Sequence, residues 1–306
     1  MTRYCFLFPG QGSQSVGMGK DLYDAYPEVQ EIYDKAEAIL EIPIKKLSFF
    51  GPEQELRNTN ITQPAILVHS ISVLEVLRKN KIDCELACGH SLGEYSALYC
   101  AGVLNFESVV KLVKRRGELM FSEGVKKPGA MAAILGLADQ DVIDLCKNIT
   151  GVVVPANFNA PGQIVVSGEP EAVKSACRQA TEKGASKTVM LEVSGAFHSP
   201  LLVESAADFK EHLKSFEFHQ PRFPVIPNRT GQATADLNEI RECLEEQLIN
   251  PVLWTKTIQT IKESDFNKLV EVGPNRVLSG LVKRIDRSLE MNQIGTADEI
   301  SIFCKK

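Results

Sequence analysis

ELACGHSLGEYSAL, residues 85–98, begins almost apolar and then sets Ser91 between Gly89 and Gly93, with His90 immediately before it. ELAC reads as a short buried strand, and LGEYSALYCAGVL (92–104) carries the apolar spacing of a helix. The serine therefore falls at a strand-to-helix turn. Glycines on both flanks let the backbone reverse sharply and let another segment come close, which pushes the serine side chain into the open. A glycine-flanked serine alone is weak evidence; the strand–turn–helix setting is what makes Ser91 a candidate nucleophile.

Working outward, RYCFLF (3–8) reads as another buried strand, followed by the loop PGQGSQSVGMG (9–19). Residues 20–40 have helical spacing, with Pro27 interrupting the helix or starting its second half. TQPAILVHSISVLEVLRKN (62–80) is a long, mostly apolar helix, and NFESVVKLVKRRGELM (105–120) is another, with Asn105 as its cap. The texture then changes. Strand 130–136, helix 139–148, strands 151–156 and 163–167, helix 170–183 and strand 186–193 give the order β-α-β-β-α-β, with NFNAPGQ (157–163) as a hairpin-like link. Beyond it a helix near 200–215, a strand PVIPN (224–228), helices 237–248 and 251–263, a strand KLVEVG (268–273) and a helix RVLSGLVKRI (276–285) resume the alternation. Strands spaced by helices imply a parallel sheet covered on both faces. The predicted fold is α/β: a large α/β-hydrolase-like domain, residues 1–125 and 194–306, with an inserted small ferredoxin-like subdomain, residues 126–193.

The 306 residues suffice for one large core with a smaller lobe. A net charge of −5 argues against nucleic acid as a partner, because phosphate binding wants a basic face. No apolar run approaches the roughly 18 residues of a membrane span, and the N-terminal apolar stretch is too short for a signal peptide. Eight cysteines are scattered without zinc-like pairing, which suits free thiols in a reducing cytoplasm.

A serine hydroxyl needs a base and something to hold the oxyanion that follows its attack. The helix opening after Ser91 offers the backbone N–H of Leu92, aided by the positive helix end. Of five histidines, His69 sits in an apolar helix and reads as core, and His212 and His219 lie in charged surroundings. His90 adjoins Ser91, but adjacent side chains at a sharp turn point apart. His198, where the chain leaves the small lobe, is the best placed. Asp139, Asp141 and Asp144 fall in the small lobe's first helix, so a dyad with the imidazole held by a carbonyl or amide fits better than a triad.

FPGQGSQ (8–14), GHSLGEYSAL (89–98), KRRGELM (114–120), NFNAPGQIVVSG (157–168), GAFHSP (195–200) and QLINPVLW (247–254) together resemble the signature set of malonyl-CoA:acyl carrier protein transacylases and related polyketide acyltransferases. The resemblance implies that Ser91 is the acylated nucleophile and His198 its base. It implies an oxyanion hole from the backbone N–H groups of Gln11 and Leu92, and Arg116 as the grip on the malonyl carboxylate. It also implies a histidine-orienting main-chain carbonyl at Gln247 and a ring at Phe197 that crowds an α-methyl branch. Asn157 and Asn159 become thioester contacts at the cleft rim. The implied partners are malonyl-CoA, as substrate, and an acyl carrier protein, with no metal or organic cofactor. Helical spacing agrees on one point: Arg116 joins the inner stripe of Val109, Leu112, Val113 and Met120, whereas Arg115 aligns with Lys111 and Lys114. That outer face, with Lys126 and Lys127 beyond it, is the expected docking patch for an acidic carrier. The alternatives are a serine thioesterase or esterase, which would want an acidic third member, and an idle docking module, which would not need Ser91, His198 and Arg116 together.

Overall fold

The computed structural model describes residues 3–193, 195–264, 266 and 268–305. Nine strands are formed among them: β1 (Tyr4–Phe8), β2 (Leu86–Gly89), β3 (Ala130–Leu135), β4 (Val153–Ala160), β5 (Gln163–Gly168), β6 (Lys187–Met190), β7 (Val225–Ile226), β8 (Lys268–Val272) and β9 (Glu290–Ile294). The large domain is built on a sheet of order β7-β2-β1-β8-β9, parallel at every pairing. Its central strands are apolar at nearly every position because both faces are covered. Phe6, Phe8, Ala87 and Val270 face one core, under the helices Thr59–Lys79 and Phe106–Lys126. Cys5, Leu7, Leu86, Cys88 and Leu269 alternate to the other, under the helices Trp254–Glu263 and Val277–Ile285. The helix Thr59–Lys79 is long and apolar enough to cross a membrane, but 83% of its most apolar window is packed inside the protein.

The small sheet has the order β4-β5-β3-β6, antiparallel throughout, which is the ferredoxin-like arrangement. Helices Asp139–Lys147 and Pro170–Glu182 cover one face through Val142, Leu145, Val173 and Ala176. From the opposite face Met131, Ala133 and Val165 join the core of the large domain. The two lobes therefore share packed side chains.

Several expected boundaries shift. β4 runs to Ala160 instead of ending at 156, so NFNA is strand and only Pro161 and Gly162 turn. Gly162, at φ +70°, supplies the left-handed residue that this tight connection needs. β6 stops at Met190, and the expected lobe boundary at residue 194 lies outside the described residues. Pro27 begins a helix, Pro27–Leu40, separate from Lys20–Ala25. The short helices Ile44–Phe50 and Glu53–Leu56, strand β9 and the helix Ala297–Cys304 were not foreseen.

Candidate active site

The two glycines around Ser91 are explained by backbone contact. A Cβ on Gly93 would lie 1.9 Å from the carbonyl oxygen of Phe8, at the end of β1, and one on Gly89 would lie 2.0 Å from the backbone of Gly93. The turn can close only where no side chain intervenes, and it leaves Ser91 itself at φ +52°. The helix Gly93–Cys100 starts directly behind it.

Ser91 Oγ lies 2.7 Å from His198 Nε2. The other ring nitrogen, Nδ1, faces two main-chain carbonyls, Gln247 O at 3.0 Å and Asn250 O at 3.1 Å. Two acceptors there require the proton on Nδ1, which leaves Nε2 with a lone pair for the serine proton. Among the described residues no carboxylate stands in that position, an arrangement that suits a dyad. Burial, and then the nearby charge of Arg116, push the His198 pKa down to about 3, so the free imidazole is neutral near pH 7.

Arg116 is fully buried. Its Nη1 donates to Gln63 Oε1 at 2.7 Å, and its Nε and Nη2 donate to Gln247 Oε1 at 3.2 and 3.0 Å. Nη2 also reaches Ser91 Oγ at 3.0 Å. The guanidinium lies 5.4 Å from the centroid of the Tyr95 ring. Among the described residues no carboxylate pairs with it directly, so a buried cation is held beside the serine by neutral groups.

A cavity of about 100 Å³ joins Ser91, His198, Arg116, Gln11, Leu92 and Phe197. Its size suits a short acyl group. Among the described residues nothing accepts a hydrogen bond from the backbone N–H of Gln11 or Leu92, so both are free to serve a developing oxyanion. A groove of about 400 Å³ shares Gln11, Leu191 and Val193 with this cavity. A larger cavity, about 890 Å³, is lined by Gly17, His69 and Arg276 and shares no residue with the serine's. Of these cavities, only that of about 100 Å³ brings Ser91, His198 and Arg116 together.

Asn157 also lines the serine cavity, but Asn159 does not. The Asn159 Oδ1 sits 2.8 Å from His90 Nε2, and the His90 ring packs on Trp254. Residues two apart share a face in a regular strand, but β4 is irregular between Phe158 and Ala160, where its register against β5 shifts, and the two asparagines part there. On the outer face of the Phe106–Lys126 helix, Lys111 pairs with Glu107, Lys114 with Glu41, Arg115 with Glu118 and Lys127 with Glu123 and Glu204. Four of the five cations expected to receive a carrier thus have an acidic partner beside them. Sequence reasoning passed over Gln63, Glu94, Asn228 and Asn250. Only Glu94 carried a visible signal, as an acid in the first turn after the serine.

The family of acyl transferase domains matches residues 5–299. The chain is 40% identical over 305 residues to the malonyl CoA-acyl carrier protein transacylase of Bacillus subtilis strain 168, covering 99% of this chain and 96% of that one. It is 37% identical over 303 residues to the protein of the same name from Staphylococcus aureus strain MRSA252, covering 98% of each. Among solved structures, the malonyl-CoA:acyl carrier protein transacylase of Xanthomonas oryzae pv. oryzae superposes with a TM-score of 0.95 at 38% identity, covering 100% of this chain and 99% of that one. A malonyl-transacylase in complex with its type II PKS acyl carrier protein superposes with a TM-score of 0.96 at 39% identity, covering 99% of each chain.

Proposed function

The chain belongs to the family of acyl transferase domains, and from that premise we infer how its site works. The reaction is the transfer of a malonyl group from malonyl-CoA to the phosphopantetheine thiol of an acyl carrier protein. In the first half-reaction His198 Nε2 takes the Ser91 proton while Oγ attacks the thioester carbonyl carbon. The backbone N–H groups of Gln11 and Leu92 hold the oxyanion. The Gln247 and Asn250 carbonyls steady the imidazolium through Nδ1–H. When the C–S bond breaks, His198 returns its proton to the CoA sulfur, leaving a malonyl ester on Ser91. The carrier thiol then reverses these steps and takes the acyl group.

Arg116 carries the reading. A buried guanidinium 3.0 Å from the nucleophile, paired with no described carboxylate, suits an acyl group that ends in one. Its charge is also the second cause of the low His198 pKa, so a bound malonyl carboxylate would lift the base as it binds. Phe197 narrows the same cavity against a branched acyl chain. Asn157 is a contact for the thioester arm. The scheme calls for no metal or organic cofactor, because nucleophile, base and oxyanion donors all come from the chain. Eight free cysteines suit a reducing compartment, and we place the enzyme in the cytoplasm.

Intact-mass measurement after mixing with malonyl-CoA should show one malonyl adduct on the wild type and none on Ser91→Ala. Labelled malonyl-CoA, with and without carrier protein, separates transfer from hydrolysis to free malonate. An adduct that survives Ser91→Ala, or that maps to a cysteine, would sink the assignment.

A further inference from the structure

We propose that Glu94 is a positioning residue that sets both the nucleophile and the carboxylate-binding arginine, acting through Gln247 and Asn228. The inference rests on the roles given above to Ser91 and Arg116. Glu94 lies in the first turn of the helix behind the serine and is only 3% exposed. A single atom, Oε2, accepts from Gln247 Nε2 at 2.8 Å and from the backbone N–H of Asn228 at 3.1 Å.

Gln247 is the first route. Its side-chain amide could face either way, with oxygen and nitrogen exchanged. Glu94 Oε2 and the Ser91 carbonyl, at 2.8 and 3.0 Å, both demand a donor on one edge. The amide oxygen is thereby turned to the other edge, where Arg116 Nε and Nη2 donate to it. A reversed amide would set its NH2 group against a guanidinium and its oxygen against two acceptors. Glu94, with the Ser91 carbonyl, thus fixes which way Gln247 points, and Gln247 aims the guanidinium at the acyl cavity.

Asn228 is the second route. With its own N–H held by Glu94, it accepts from the Ser91 N–H at 2.6 Å and donates to Gly89 O at 2.5 Å. It therefore grips the turn on both sides of His90, where Ser91 keeps a left-handed backbone. One atom, Glu94 Oε2, thus holds both Asn228, whose side chain accepts from the Ser91 N–H, and Gln247, the arginine's partner.

Burial is the main cause raising the Glu94 pKa, to about 7, so the carboxyl is partly protonated near neutrality. A proton on Oε1 leaves Oε2 able to accept both bonds, so the acceptor matters more than the charge. Glutamine can supply that acceptor at the same reach. Methionine fills the space without a comparable acceptor, and aspartate has the acceptor but is a methylene too short to serve both donors.

The test compares malonyl with acetyl transfer from the CoA thioesters to Ser91, alongside circular dichroism and melting of each variant. Glu94→Gln should keep the malonyl-to-acetyl ratio within about threefold of wild type, whatever its absolute rate. Glu94→Met and Glu94→Asp should lower the ratio by about tenfold or more while remaining folded. If Glu94→Met fails to fold, Glu94→Asp carries the comparison. Wild-type ratios in both Met and Asp variants, or a loss in Glu94→Gln as large as in Glu94→Met, would overturn the proposal. A wild-type enzyme that forms no malonyl adduct on Ser91 would overturn the earlier reading, and this inference with it.

Discussion

Arg116 presents five N–H donors, and its surroundings meet them with two amide oxygens and a hydroxyl. Such a cation is tolerated in the interior because these hydrogen bonds replace its water, and among the described residues it still lacks a direct counter-charge. A substrate carboxylate would complete the site, and removing the arginine would then strand that carboxylate in a cleft. Truncating one side of a buried pair costs about 2–5 kcal/mol, a factor of about 30 to several thousand in kcat/KM. We expect Arg116→Ala to lose that much with malonyl-CoA and nothing with acetyl-CoA, which has no carboxylate to bind. Arg116→Lys should recover part of the malonyl activity, since a point charge cannot form the two-pronged contact. Equal malonyl-to-acetyl ratios in wild type and both variants would reduce Arg116 to an ordinary core residue.

At the level of elements, the junction of β1, β2 and the helix behind Ser91 is held by backbone packed on backbone. Gly93→Ala must push its methyl into the Phe8 carbonyl, and overpacking of this kind costs about 1–3 kcal/mol or more. We expect a lower melting temperature together with slower Ser91 acylation; a variant with wild-type values for both would mean the turn can relax. This junction was legible in the sequence because glycine spacing and apolar runs are local signals. The inward turn of Arg116 was legible for the same reason, as one position in a helical stripe. The short helices Ile44–Phe50 and Glu53–Leu56 were not, because one or two turns carry too little periodicity to stand out. β9 is an edge strand of mixed polarity, EMNQI, without the apolar run that marks β1. Gln63, Asn228 and Asn250 were missed for another reason. They act through hydrogen bonds across 53 and 137 residues of chain or through a main-chain carbonyl, and neither leaves a mark on local pattern.

Across the whole molecule, the burial that tunes the site also makes folding depend on pH. Burial first of all holds His198 and His69 low, at about 3 and about 4, whereas an unfolded histidine titrates near 6.5. Below about pH 6.5 the unfolded chain therefore binds protons that the folded protein refuses, and the stability present above that pH is lost as pH falls through the folded values. Glu94 has the opposite sign. Its pKa is raised from 4.5 to about 7, so the folded protein holds a proton that the unfolded chain releases, and this contribution fades as pH rises through 7. Two histidines outweigh one glutamate between about pH 6.5 and 4.5, and each contributes about 3 kcal/mol over that span at about 1.4 kcal/mol per pH unit. We expect the wild-type melting temperature to fall between pH 7.5 and 5. The fall should be steeper in Glu94→Gln, which lacks the opposing proton, and shallower in His69→Gln, which lies outside the serine cavity and removes one refused proton. At about 2–4 °C per kcal/mol for a domain somewhat smaller than this chain, the differences amount to several degrees. Calorimetric scans at half-unit pH steps would resolve them. If the three profiles run parallel, the burial of these groups does not set the acid stability of the fold.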